Sequence, residues 1–596
     1  MKIVKLILIS ILTLASFSLL GQNVKKYALG LFHFNLQYVA GNEKIQNRII
    51  IDDFYPVLKF FEANPRYKSD IEIQGYAIKV LAEQHPDIFN LLKKLVNSGQ
   101  IELVVGHYSD QFFIAYPAKD LAKSIELSDQ LLKKYNIKRS KVFYGQELQW
   151  TPAYASVLQG NYNIAVSSCD FDPFKWYYGI LQPLGYEHYG LNKILVFVGS
   201  GKKDLGNIKW KWAFLDDGEC FLTKDLNSDF KLVPSVAKEN KDNYKKLLNE
   251  GYKFVTISEF VNILKNDPDY KIVDYPYVPE GTWNMNKTEG PYTWMGKQSG
   301  VDTDGITRAL SYQARGKILL AEALVNEIKK DNVDISVMMN QIKNAWKQLF
   351  LSEVSDSTGW TPRKEEIRYT AKHAEEAKKI ADNVVYKSER FMQLGEEKIL
   401  VNTKNGEISK VENEYKAEKK DSLSPVWFDV RAKNYTASCQ KITDDLYQLD
   451  ITCRRPQDGN VIIEFDSAKT GLQYSAGAGE RISVKVPTNL KHNPVLPLSN
   501  GYLYLGNGYS LIKDCSVEHL AAKCDLNKGK VIFREGLAKH TKSMSMRFYI
   551  LKGTPLEGLE LGNKINTWPS YILFNHNSEL NTQKVLALGN DNYLFL

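Results

Sequence analysis

The order of apolar runs predicts an α/β fold: a (β/α)7 barrel, then a helical segment, then a C-terminal all-β sandwich. Three observations carry this. Between residues 27 and 265 short apolar runs alternate with amphipathic segments. From 304 to 386 the apolar spacing is helical throughout. After Glu397 the runs become alternating or β-branched, with Gly, Asn and Pro between them. A chain of 596 residues also exceeds what one core supports, since single cores rarely grow past about 250–300 residues.

Taken in order, the first residues place Lys2 and Lys5 before an apolar run from Leu6 to Leu20 that ends at Gly21-Gln22. So short a run at the very N-terminus reads as a cleavable export signal, residues 1–21, rather than a spanning helix. The mature protein is therefore expected to be secreted or periplasmic, with no membrane association once the signal is removed. The predicted barrel, 22–300, has strands over 27–34, 70–74, 101–106, 141–147, 162–168, 208–217 and 253–258, with helical patterns at 76–97, 121–135 and 244–250. Strands separated by helices imply a parallel sheet covered on both faces. A closed barrel is favoured over an open doubly wound sheet because no glycine-rich phosphate loop follows the first strand.

Helices over 304–327, 333–351 and 363–386 form a predicted subdomain, 301–392, completing one side of the cleft. Runs at 401–411, 427–431, 447–453, 461–465, 481–486, 502–506 and 545–551 make a predicted sandwich over 393–596. The charged stretch 416–421 reads as a solvated loop.

Composition excludes several classes. The formal charge is +8, from 77 basic and 69 acidic residues. Removing Lys2 and Lys5 leaves 75 against 69, or +6, with no basic run beyond pairs such as Lys419-Lys420. That is no nucleic-acid footprint, and no nucleic-acid partner is expected. The six cysteines contain no CxxC pair, which excludes a zinc ribbon or thioredoxin-like site. Cys439 with Cys453, and Cys515 with Cys524, are either local disulfides or buried thiols.

Reacting residues of such barrels project from the C-terminal ends of strands. Here those ends carry His33-Phe34-Asn35-Leu36-Gln37, Glu72-Ile73-Gln74, His107-Tyr108-Ser109-Asp110, Glu147-Leu148-Gln149-Trp150 and Asp216-Asp217-Gly218-Glu219. Acids and amides suit sugar hydroxyls, and flat rings suit the apolar face of a pyranose. Glu147 and Asp217 are the candidate carboxylate pair. Trp283, Tyr292 and Trp294 lie in a loop over 279–299, as a sugar platform or as anchors of the loop.

From His33 to about Ser258 the chain resembles glycoside hydrolase family 57, a group of retaining α-amylases and α-glucanotransferases. The histidine-rich first motif is His33-Phe34-Asn35-Leu36-Gln37. The nucleophile motif, roughly Glu-x-x-Trp-x-Pro, is Glu147, Trp150 and Pro152. The acid motif is Asp217 and Glu219 with Phe221 one residue late. The resemblance implies Glu147 as nucleophile and Asp217 as acid/base, with Asp216 a rival for the acid. It also implies substrate contacts near Asp356 and Trp360, to which the strand ends add His33, Gln37, Gln74, His107, Asp110, Trp150, Asp216 and Glu219. Two features depart from the family pattern: Asn35 replaces the second histidine, and Leu36-Gln37 replaces Gln-Pro.

The expected activity is retaining hydrolysis of an α-linked oligo- or polysaccharide by double displacement. The alternatives are transglycosylation or a non-catalytic carbohydrate-binding protein on a degenerate barrel. No cofactor or metal is expected. The histidines include no His-x3-His, the first strand carries no His-x-Asp, and Asp216–Glu219 lacks a twelve-residue calcium loop pattern.

Overall fold

A computed structural model describes residues 24–596 apart from 37–41, 170–171, 224–229, 289, 297–303, 332, 359–363, 396, 413–414, 433, 455–459, 477–481, 537–542, 577–578 and 590–591. The expected export signal, Gln37 and Trp360 lie outside the described residues.

The N-terminal strands are β1 (Lys25–His33), β2 (Ser69–Glu72), β3 (Ile101–Val104), β4 (Val142–Tyr144), β5 (Ile164–Ser167), β6 (Leu184–Tyr189), β7 (Asn192–Val198), β8 (Ile208–Asp217) and β9 (Lys253–Phe254). They form two arcs. In one, the order β3-β2-β1-β8 is parallel throughout, with β9 also on β1. In the other, β5 lies between β4 and β7, parallel to both, and β6 pairs antiparallel with β7. The arcs meet where the Ser140 N–H donates to the Leu103 carbonyl, 2.7 Å, and where the Trp212 indole of β8 donates to the Gly199 carbonyl past β7, 3.1 Å. Helices bury one apolar stripe against the arcs. Pro86–Asn97, for example, turns Ile88, Phe89, Leu92 and Leu95 inward.

One predicted strand is replaced. The run 253–258 contributes only the two residues of β9, and the place of a full parallel strand is taken by β7. The sequence reading expected strands with helical patterns between several of them. β7 instead follows β6 through a tight turn at Gly190, whose φ of +59° suits a residue without a side chain.

The helices Asp304–Ile328, Ser336–Ser352 and Lys364–Met392 agree with the expected three to within a few residues, except at the last C-terminus. The β-rich region is more divided than one sandwich. An eight-stranded sheet built around Leu446–Arg454 and Ser543–Lys552 faces a five-stranded sheet built around Asn460–Asp466 and Lys530–Gly536, sharing Leu449, Phe465, Phe533 and Phe548. A third, six-stranded sheet joins Ile399–Asn402 to the chain's last strands and packs Val401 and Leu573 on the long helices beside Trp346 and Leu349. None of the six cysteines is in a disulfide. Cys439 faces Leu449 and Cys453 faces Tyr435, an offset of four residues, roughly 13 Å along the strand, which no disulfide spans. No helix among the described residues is long and apolar enough to cross a membrane.

Candidate active site

Glu147 follows β4 in the short turn Gln146–Leu148, and both Glu147 (φ +55°) and Leu148 (φ +51°) adopt left-handed backbone. For side chains with a Cβ this costs about 1–2 kcal/mol each, so the surroundings must hold it. They do so from three sides. The Gln149 amide donates to the Gln146 and Gln111 carbonyls, 2.7 and 2.8 Å, and its oxygen accepts the Ile114 N–H. Gly145 leaves no room for a side chain: a Cβ there would lie 2.6 Å from the Tyr154 hydroxyl. Trp283 grips Glu147 twice, its backbone N–H on the Glu147 carbonyl at 3.2 Å and its indole N–H on the carboxylate at 2.5 Å. The Gln146 amide donates to the other carboxylate oxygen, 3.2 Å.

Asp217 closes β8 and is the register partner of His33 at the end of β1. His33 is in turn the register partner of Glu72 at the end of β2, and its Nδ1 is bonded to the Glu72 carboxylate. Asp356 enters from the turn Ser355–Ser357, where it accepts the Asn35 amide at 2.7 Å. That turn is held by Arg308, fully buried, whose guanidinium donates to the carbonyls of Glu353, Val354 and Ser355. The Ser355 N–H meets the Asp110 carbonyl, 2.8 Å.

These carboxylates act on one another. Burial, then the charges of Asp356 and Asp217, push Glu147 well above the usual carboxylate range. Burial, then Asp217, raises Asp356 to about 7, and the same two causes raise Asp216 to about 6. Glu219 and Asp110 are raised mainly by burial. Like charges in one dry site cannot all ionise, so this cluster shares protons.

The remaining sequence candidates fall into two groups. Glu219 accepts the Asn35 N–H at 3.2 Å, and half-buried Asp217 and exposed Asp216 stand beside it on the rim. The Asp216 carboxylate accepts the Asp217 N–H, 2.9 Å. Asp216, Asp217 and Cys220 each bring one ligand atom within 4.8 Å of the others, a grouping in which no histidine takes part. Gln74, His107 and Trp150, by contrast, are turned into the protein. The Gln74 amide braces the Phe34 carbonyl, 2.9 Å. His107 donates from Nδ1 to the Ser109 carbonyl and accepts the Gln146 N–H at Nε2, a neutral tautomer in keeping with the burial that lowers its pKa. Trp150 corrects the expected wall of a sugar subsite. Fully buried, it packs edge-on to Tyr154 and Phe174 and donates to the Val278 carbonyl.

Sequence reasoning saw Glu72 and Gln146 at strand ends without giving them a role, missed Arg308, and left Trp283 between platform and anchor. Glu72 had a signal: it is two residues before Gln74, so strand alternation puts both on one face.

Residues 26–224 match the model of "Glycosyl hydrolase family 57". That stretch of the chain is similar to glycosyl hydrolase family 57. The family 57 match takes in β1 to β8, with His33, Glu147 and Asp217. Among curated relatives, an α-amylase from Pyrococcus horikoshii is 27% identical over 125 residues, 21% of this chain and 20% of that protein. Alpha-amylase 1 from Dictyoglomus thermophilum is 24% identical over 239 residues, 38% of this chain and 31% of that protein. These matches span a fifth to a third of the relatives' own length. Among solved structures, an α-mannosidase from Enterococcus faecalis superposes with a TM-score of 0.60 at 8% identity, covering 95% of this chain and 92% of that one. At that identity the likeness is one of fold, and it extends past the family 57 stretch into the helices and β-sheets.

Proposed function

We propose that this protein is a retaining glycoside hydrolase acting on an α-linked oligo- or polysaccharide. The observation that carries the reading is that Glu147 and Asp217, one following β4 and one ending β8 within the stretch that matches family 57, act electrostatically on each other and on Asp356 from beyond that stretch. Read this way, the two arcs are halves of one (β/α)7 barrel of β1 to β5, β7 and β8, with β6 added as an antiparallel partner of β7. Export to the periplasm or medium is part of the same proposal, on the short apolar run Leu6 to Leu20 behind Lys2 and Lys5.

In the proposed reaction the Glu147 carboxylate attacks the anomeric carbon while Asp217 protonates the departing glycosidic oxygen. Asp217 then takes a proton from water, whose oxygen displaces Glu147 and restores the original anomeric configuration. Transfer to a sugar hydroxyl replaces hydrolysis wherever an acceptor excludes water. The dual grip of Trp283 keeps Glu147 aimed, and Asn35 and Arg308 keep Asp356 at the same rim. Asp216 remains the alternative acid.

The test is turnover of α-glucans and other α-linked glycans by the full chain beside Glu147→Gln, Asp217→Asn and Asp216→Asn. Losses of about a thousandfold or more in the first two, with a smaller loss in the third, are expected. Wild-type turnover indifferent to Glu147→Gln and Asp217→Asn refutes the pair. The anomer first released, read by proton NMR, separates retention from inversion.

A further inference from the structure

We propose that Glu72 is a positioning residue of this site: its carboxylate fixes the His33 ring as a cation, and that cation favours the ionised forms of the acids clustered around it, Glu147 among them. The inference deepens the two-carboxylate reading and rests on it.

The register makes the arrangement unavoidable. His33 ends the central strand of its arc, with Glu72 its partner on β2 and Asp217 its partner on β8. Paired residues of neighbouring strands project to the same side of a sheet, so the imidazole stands between two carboxylates. Glu72 is fully buried and His33 nearly so. A buried carboxylate is costly without a partner, and the bond from His33 Nδ1 supplies one. His33 Nε2 has no protein partner among the described residues, so the second N–H of the imidazolium is not used up in holding the fold.

Every element around the ring adds to the same balance. Asp110 follows β3, Asp217 ends β8, the Tyr144 ring of β4 lies 5.8 Å away, and His107 stays neutral through its bonds to Ser109 and Gln146. Burial opposes a charge on His33, but Glu72, Asp110 and Asp217 outweigh it and raise the ring well above its ordinary value. In the other direction, the His33 charge favours the ionised form of Glu147, Asp110, Asp216, Glu219 and Asp356. Arg308 adds to this balance at Asp356, where its charge acts after that of His33.

Two measurements on the full chain test this. The first is a pH titration of the His33 ring by nitrogen NMR, assigned with His33→Gln, in wild type and in Glu72→Gln. Wild type is expected to hold the imidazolium well above neutral pH and Glu72→Gln to lose it at a clearly lower pH. A neutral ring in wild type at pH 7 overturns the proposal, whatever the protein's activity. The second is the pH profile of kcat/KM. Glu72→Gln is expected to move the acidic limb up by about one unit or more with KM little changed, because Glu147 then gives up its proton later. Glu72→Asp is expected to restore most of the wild-type limb. A loss of rate equal at all pH values, with the limb unmoved, also overturns it. Should Glu72→Gln fail to fold, the wild-type titration decides alone. Should no glycan be turned over, the two-carboxylate reading fails while the titration still judges the pair.

Discussion

Asp53 is fully buried in the short π-helix Ile49–Phe54, and burial, then the Asp52 charge, raises it to about 8. An ordinary carboxyl loses its proton near pH 4, so the folded protein binds a proton here that the unfolded chain has released. The stability from this group is present below about pH 4 and is lost as pH rises toward 8. Asp53→Asn keeps the neutral form at every pH. Its melting temperature is expected to fall less than that of wild type between pH 5 and 9, with the variant the more stable at the alkaline end. Trp283→Phe makes a different prediction. Its indole bond is one of the interactions favouring ionised Glu147, so the acidic limb of kcat/KM is expected to move up and the plateau to fall about ten- to a hundredfold, the worth of one hydrogen bond to a charge.

At the scale of elements, the helix Asp304–Ile328 ties the site to the rest of the chain. Arg308 near its start holds the turn bearing Ser355 and Asp356. One helical stretch later, Arg315 makes a fully buried ion pair with Asp120, 2.7 and 2.9 Å, and donates to the Thr567 carbonyl at 2.6 Å. Arg308→Lys keeps the charge but loses the fork that reaches several carbonyls. Denaturation by urea is expected to show a loss of about 2–3 kcal/mol, with turnover reduced further than stability accounts for. Asp120→Asn strands the Arg315 charge and is expected to cost about 3–5 kcal/mol by the same measurement.

At the scale of the molecule, the largest apolar cluster runs without a break from Phe112, Trp150 and Phe174 of the barrel region to Leu449, Phe465 and Phe548 of the β-sheets, and a second joins the long helices to Val401 and Leu573. Cutting at residue 392 exposes both faces. Residues 24–392 alone are expected to be insoluble or to bind hydrophobic dyes, while the full chain melts in one calorimetric transition. A soluble, cooperatively folded fragment would contradict this. With none of the cysteines in a disulfide, the melting temperature is also expected to be unmoved by reductant.

What the residues determined by themselves is what depends on neighbours along the chain. The three long helices, β1 to β5 and β8, and the strand-end positions of His33, Glu147 and Asp217 follow from apolar periodicity and turn chemistry, which are local. The tertiary structure decided the rest because it depends on partners far apart in sequence. His33 meets Glu72 across 39 positions and Asn35 meets Asp356 across 321. Trp150 sinks beneath the site because Phe174 and the Val278 carbonyl receive it. The β6–β7 hairpin joins the sheet without a helix because β5 offers β7 an open edge. No local pattern carries these choices: a strand exposes the same side chains to whichever neighbour packing assigns it, and burial beside that neighbour sets which carboxylates keep their protons.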